Sequence, residues 1–224
     1  MSWEKAFVSQ LAGLKICNVF NPYSDRCEVY DVADAARIRR KNLETVLKAR
    51  RADKIESIWF GRDLGYRGGR RTGLALTDEV TMFSDPSHVK RADGIARATH
   101  GNPVAERTAA VIWSVICRLP RAPMLWNAFP FHPHESGSPF TNRSHTTKER
   151  RETAWAIEAL IEHFDGPRLI AIGNDASKAL ADLGFAHETA RHPSYGGQRE
   201  FVETMERIHG LPPQVAPTQT PMLF

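Results

Sequence analysis

The chain has 224 residues, 42% hydrophobic and 25% charged, which is enough for one domain with a sizeable core. Its 30 Lys and Arg against 26 Asp and Glu leave a formal charge of +4, which permits a nucleic-acid partner without requiring one. The opening MSWEKAFVSQLAGLKICNVF lacks a basic segment followed by a long apolar run, and no stretch approaches the ~18 apolar residues of a membrane span. No membrane partner and a cytoplasmic location are therefore expected.

Cys17, Cys27 and Cys117 are widely spaced and include no C-x-x-C, so one chain can build neither a disulfide framework nor a four-cysteine cluster. They are expected as small buried residues. In chain order, residues 31–52 carry Val32, Ala36, Leu43, Val46 and Leu47 near helical spacing, which predicts a helix. IESIWF at 55–60 predicts a buried strand running directly into a glycine-rich loop. Residues 106–119 predict a second helix, broken by Pro120 and Pro123, and MLWNAF predicts a strand ending near Asn127. After the polar loop FHPHESGSPFTNRSHTT come a helix over 148–164, a strand at 169–172 (LIAI), a helix opening at GNDASKAL, a short strand over 185–189, the loop RHPSYGG and a helix over 198–209. Alternating strands and helices predict an α/β fold, a three-layer α/β/α sandwich around a mostly parallel, roughly four-stranded sheet. It should form one domain over 1–210. The tail 211–224, LPPQVAPTQTPMLF, has four prolines and is expected to be extended or disordered.

In open α/β sheets, ligands bind beyond the carboxyl ends of the strands. Three predicted loops there carry chemistry. The first, WFGRDLGYRGGRRTGLALTDE, has five glycines, the arginines Arg62, Arg67, Arg70 and Arg71, and one carboxylate, Asp63, before Asp78. Glycines let backbone N–H groups approach an anion, yet neither G-x-x-x-x-G-K-[ST] nor G-x-G-x-x-G occurs. The plain alternative is a flexible turn capped by Asp63. Asn127 and His192 mark the other two loops, where strand-end and loop backbone groups could equally satisfy them.

Gly61-Arg62-Asp63-Leu64-Gly65, followed by Thr72-Gly73, resembles the first motif of the uracil-DNA glycosylase superfamily, and His192-Pro193-Ser194 resembles its second. Asn127 falls where that family has its base-reading asparagine. The resemblance spans about 55–201 and implies a monofunctional, cofactor-free, monomeric enzyme that hydrolyses the N-glycosidic bond of uracil in DNA during base excision repair. It implies that Asp63 activates water and stabilises the sugar cation, and that His192 donates to uracil O2 as charge builds there. It also implies that Asn127 matches N3–H and O4, that Arg62 offers its backbone N–H, and that Ser194 contacts a phosphate of the flipped nucleotide. Two positions depart from the pattern. Gly65 replaces a tyrosine that crowds the 5-position, which leaves room for 5-substituted bases, and Leu76 replaces a phenylalanine that stacks on the base. Tyr66, Phe83 and Phe131 are candidates to stack instead. Tyr195, Gln198 and Arg199 are candidates for the wedge that fills the vacated stack, and Arg67, Arg70 and Arg71 for salt-sensitive phosphate contacts.

Other readings compete. His132, His134, Glu135 and His145 could ligate a metal, which makes a metal-dependent hydrolase the second enzyme reading, although Pro133 and Gly137-Ser138-Pro139 suit a loop that reaches DNA. A non-catalytic binder of uracil-containing or abasic DNA is the third. The last six residues, Gln219-Thr220-Pro221-Met222-Leu223-Phe224, resemble the Q-x-x-[LM]-x-F peptide with which bacterial replication and repair proteins dock on the sliding clamp.

Overall fold

The computed structural model describes residues 1–84 and 94–214. The chain runs α1 (Trp3–Ala12), β1 (Val19–Phe20), α2 (Ala35–Asp53), β2 (Ser57–Gly61), α3 (Gly69–Thr72), α4 (Arg107–Ile116), β3 (Met124–Asn127), β4 (His132–Pro133), α5 (Thr147–Thr153), α6 (Trp155–His163), β5 (Arg168–Ile172), α7 (Asn174–Asp182), β6 (Glu188–Ala190) and α8 (Gln198–His209).

Strand β2, SIWFG, is buried at every position, as expected of a strand covered on both faces. Its alternate side chains enter opposite cores. Ile58 and Phe60 join apolar residues of α1, α2, α6 and α7, whereas Trp59 joins those of α4 and α8. The four main strands lie in the order β3-β2-β5-β6, all parallel, so the sheet is the middle layer of an α/β/α sandwich. Helix α8 shows why the elements form where they do. Phe201, Met205 and Ile208 recur at helical spacing on its buried side, and the left-handed Gly210 ends it.

Three local expectations change. The single helix expected over 148–164 is two helices, α5 opened by a capping box of Thr146 and Glu149 and α6 starting after Ala154. At that joint the backbone bonds tighten to Ala154 N–H on Arg151 O and Ile157 N–H on Ala154 O. Helix α1 and the antiparallel β1–β4 pair had no counterpart among the expected elements. Of the cysteines, Cys27 is buried but Cys17 and Cys117 are exposed, contrary to expectation. Among the described residues no helix is long and apolar enough to cross a membrane. The sliding-clamp peptide at 219–224 lies outside the described residues.

His132 ties β4 to the rest of the molecule. Arg70 Nη1 donates to its Nδ1 (3.1 Å), and its Nε2–H donates to the Thr141 carbonyl (2.9 Å). Burial first, then the Arg70 charge, hold its pKa down at about 4. Between that value and the ordinary 6.5, the unfolded chain binds a proton that the folded chain refuses, so stability falls as the pH drops through this window. From this group alone, urea unfolding should show about 2 kcal/mol less stability at pH 5 than at neutral pH. His132→Gln should flatten the slope by that amount.

Candidate active site

The ladder between β2 and β3 pairs Gly61 with Asn127 and continues past both strands. Ala128 N–H donates to Gly61 O (2.9 Å), Phe129 N–H to Arg62 O (2.9 Å) and Leu64 N–H to Phe131 O (3.0 Å). Backbone bonds thus bracket Asp63, two residues beyond the strand, and hold it at the carboxyl edge of the sheet. Its side chain is only 6% exposed. It lines a cleft of about 520 Å3 whose walls include Arg62, Leu76, Glu106, His192 and Tyr195.

Asp63 Oδ2 accepts from Arg62 Nε (2.9 Å) and from His145 Nδ1 (3.3 Å). Its Oδ1 has no hydrogen bond to the described residues. Arg62 also reaches toward Asp175 at 3.8 Å across the cleft rim. His145 comes from the loop before α5, is nearly buried, and lies tilted against the Phe129 ring with centroids 5.5 Å apart. The sequence groups it with possible metal ligands, whereas in the fold it meets a carboxylate 82 residues away.

His192 lies between β6 and α8, facing Asp63 across the cleft. Its Nδ1 accepts from Ser194 N–H (3.2 Å) and lies 2.7 Å from Ser194 Oγ, which leaves the ring proton on Nε2. Burial first, and the Arg62 charge second, lower its pKa, against the opposing pull of Asp63 and Asp175. The ring is therefore a neutral donor.

Asn127 is buried, and neither its Oδ1 nor its Nδ2 has a hydrogen-bond partner. A buried carboxamide left wholly unpaired is costly and calls for an explanation. It packs on Gly61, where an added Cβ would fall 2.5 Å from Asn127 Oδ1 and 2.7 Å from Leu76 Cδ2. Leu76, held at φ 53°, covers the same face and forms part of the cleft wall. None of the expected stacking aromatics lines the cleft. Phe131 packs in the core against Tyr23 and Phe129, Phe83 is half-exposed, and Tyr66 N–H is bonded to Asn142 Oδ1 (3.1 Å).

Two arginines of the glycine-rich loop are not where a phosphate could meet them. Arg70 is buried between the Phe20 and Phe140 rings and bonded to His132 and the Pro139 carbonyl. Arg71 is buried over the Tyr30 ring and paired with Glu79 at 2.8 Å. Both turn inward because the short α3 packs against the core, where ring faces and a carboxylate satisfy their planar guanidinium groups. Arg67 remains exposed. The supposed metal ligands are not assembled either: His132 has both ring nitrogens engaged, His145 faces Asp63, and no group of three such ligands occurs among the described residues. In the RHPSYGG loop, Tyr195 is 97% exposed at φ 52°, and Gln198 and Arg199 lie exposed at the start of α8. Arg199 pairs with Glu203 at 2.7 Å. Glu106, at the start of α4, was given no role from the sequence, since nothing in its neighbourhood there signals that it reaches the cleft.

No protein-family model matches the sequence, and no curated protein matches it. Among solved structures, SMUG2 of Pedobacter heparinus, a uracil-DNA glycosylase family member, aligns with a TM-score of 0.58 at 12% identity, covering 94% of this chain and 98% of that one. The likeness is one of fold.

Substitution at Gly61 tests the crowded contact beneath the cleft. Gly61→Ala should push the Asn127 carboxamide and Leu76 aside and cost about 1–3 kcal/mol by overpacking, measured by denaturant unfolding.

Proposed function

On a chain with the uracil-DNA glycosylase fold, we propose that this site hydrolyses the N-glycosidic bond of uracil in DNA. The observation that supports the reading is the unpaired Asn127 carboxamide, which lies over Gly61 at the end of β2, two residues before Asp63. An amide with a free acceptor and a free donor matches the N3–H and O4 of uracil, and cytosine reverses that pattern. Reaching it requires the Leu76 side chain to move from Gly61 when a base enters.

The chemistry follows from the charges. Breaking the bond develops positive charge on the sugar and negative charge on the departing base. Asp63, oriented by Arg62 and His145, takes the proton of an attacking water through its free oxygen and stabilises the sugar cation. The water oxygen bonds to the sugar carbon while the bond to the base breaks, and the electron pair leaves with the base. His192, neutral with its proton on Nε2, donates to O2 of the departing base. Arg62 contributes its backbone N–H, and Ser194, besides fixing His192, faces the flipped phosphate. Arg67 supplies sequence-independent attraction to the backbone. Tyr195, at the exposed tip beside the cleft, fills the stack vacated when the base is extruded. Water and the side chains suffice, so the reaction as written uses no cofactor.

Base release should be measured on a uracil-containing oligonucleotide, single-stranded and duplex, without added metal. Asp63→Asn should lose about 10²–10⁴-fold in rate, the range for loss of a positioned base. His145→Ala should lower kcat by about tenfold with KM little changed, because the base is kept but misoriented. Binding without release by the unmodified protein would replace the enzyme reading with that of a uracil or abasic-site binder.

The wedge assignment has its own test. Tyr195→Ala should lose more activity on duplex than on single-stranded substrate, since only the duplex must be held open. Equal losses would remove Tyr195 from that role.

A further inference from the structure

Two unfavourable features meet over Gly61. The Asn127 carboxamide is buried with neither Oδ1 nor Nδ2 paired, and Leu76 holds φ at 53°, the left-handed region that a leucine enters at a cost. Their side chains share one space. A Cβ at Gly61 would lie 2.5 Å from Asn127 Oδ1, 2.7 Å from Leu76 Cδ2 and 3.3 Å from Leu76 Cγ. Leu76 lines the cleft whereas Asn127 is 1% exposed, so the leucine screens the carboxamide from the cleft. Every residue over 68–79 is buried except Leu76, which is partly buried and borders open space.

The backbone on either side of Leu76 is held. Thr72 Oγ1 donates to the Thr77 carbonyl (2.9 Å), Thr77 Oγ1 donates to the Ala75 carbonyl (2.9 Å), and Trp113 Nε1–H donates to Thr77 Oγ1 (3.2 Å). The turn is thus clamped, and the part left free to change rotamer is the Leu76 side chain at its tip.

We infer that Leu76 is a shutter. Its side chain fills the space over Gly61 in the empty site, turns aside to admit a planar ring that carries an N–H beside a carbonyl, and displaces that ring on its return. Asn127 sets the ligand chemistry, because a carboxamide with donor and acceptor both free pairs with such an edge. Naming the ring as uracil rests on the glycosylase reading. Closure keeps water from the carboxamide, so its bonds to the base form in a dry setting, where they are stronger. A base tethered to DNA arrives at high effective concentration and outcompetes the leucine. Once the glycosidic bond is broken the base loses that advantage, and the returning leucine expels it. The shutter thereby opposes inhibition by the released base.

The test measures calorimetric binding of free uracil to the full-length unmodified protein, Leu76→Ala and Leu76→Gly, beside uracil release from a single-stranded oligonucleotide by the same proteins. With the unmodified site open in about a tenth of molecules or fewer, removing the side chain should tighten free-uracil binding by about tenfold or more. Leu76→Gly, which suits the left-handed backbone, should match or exceed Leu76→Ala. Adding Asn127→Ala to either variant should abolish the gain, since the gain is made at the carboxamide. A gain in affinity cannot arise from loss of folded protein. In the unmodified protein, free uracil should shift the NMR signals of the Leu76 methyl groups, and signals left unmoved would overturn the shutter even where a variant fails to fold. Uracil release by the unmodified protein, with free-uracil binding unchanged or weakened in both variants, would make Leu76 a fixed wall of the site; that overturns the shutter and leaves the glycosylase reading standing. Tighter binding in the variants without release of uracil by any protein would keep the shutter and overturn the enzyme reading. Neither binding nor release by any of them would overturn both.

Discussion

The site depends on the backbone ladder between β2 and β3. Its parallel register sets Gly61 beside Asn127, and the three N–H to carbonyl bonds beyond the strand ends carry the pairing into the loops. A loop of this composition would otherwise be free to move, with glycines at 61, 65, 68, 69 and 73. Tying Arg62 and Leu64 to the segment after Asn127 fixes the direction in which Asp63 points. Catalytic geometry tolerates little looseness, so a carboxylate placed on strand-end hydrogen bonds is better located than one on an untethered turn.

Beneath that loop lies a layer of buried charge. Arg39 and Asp31 pair with both side chains fully buried, and Arg39 Nε also bonds the Arg71 carbonyl at 3.0 Å. Arg71 pairs with Glu79, which also accepts from Thr99 and from Val104 N–H. Burial works against the ionised Glu79, but these hydrogen bonds outweigh it and hold its pKa below the usual carboxylate range. The same loop that shows Arg62 and Arg67 to the solvent therefore uses Arg70 and Arg71 as interior struts. Removing one partner of such a pair strands the other charge in a dry interior.

Unpaired polar groups gather in the cleft and in the wall behind Leu76. Asn127 has two unpaired atoms, Glu106 has a carboxyl with no bonded partner, and Asp63 keeps one oxygen free while the other is doubly held. Interiors pair nearly all their polar atoms, so three partly unsatisfied groups in and beside one cleft call for an explanation. His192 is the complement: its Nδ1 is consumed by Ser194, which fixes the proton on the other nitrogen.

The sheet and its helices were legible in the sequence because burial on two faces leaves a run such as IESIWF without polar interruption, and one-sided burial spaces Phe201, Met205 and Ile208 at helical period. Local order also placed Asp63, Asn127 and His192 at the carboxyl edge of the sheet, since each ends or follows a strand, and strand ends in a parallel sheet meet on one edge. Three things were decided only by tertiary packing. Arg70 and Arg71 read as phosphate contacts but fold inward, because ring faces from β1 and distant loops are what satisfy them. His145 read as a metal-ligand candidate and Glu106 as an ordinary helix-start residue, yet they meet Asp63 and Gly65 across 82 and 41 residues of chain. Periodicity records which way a side chain faces relative to its own element. What it faces is set by where the other elements come to rest.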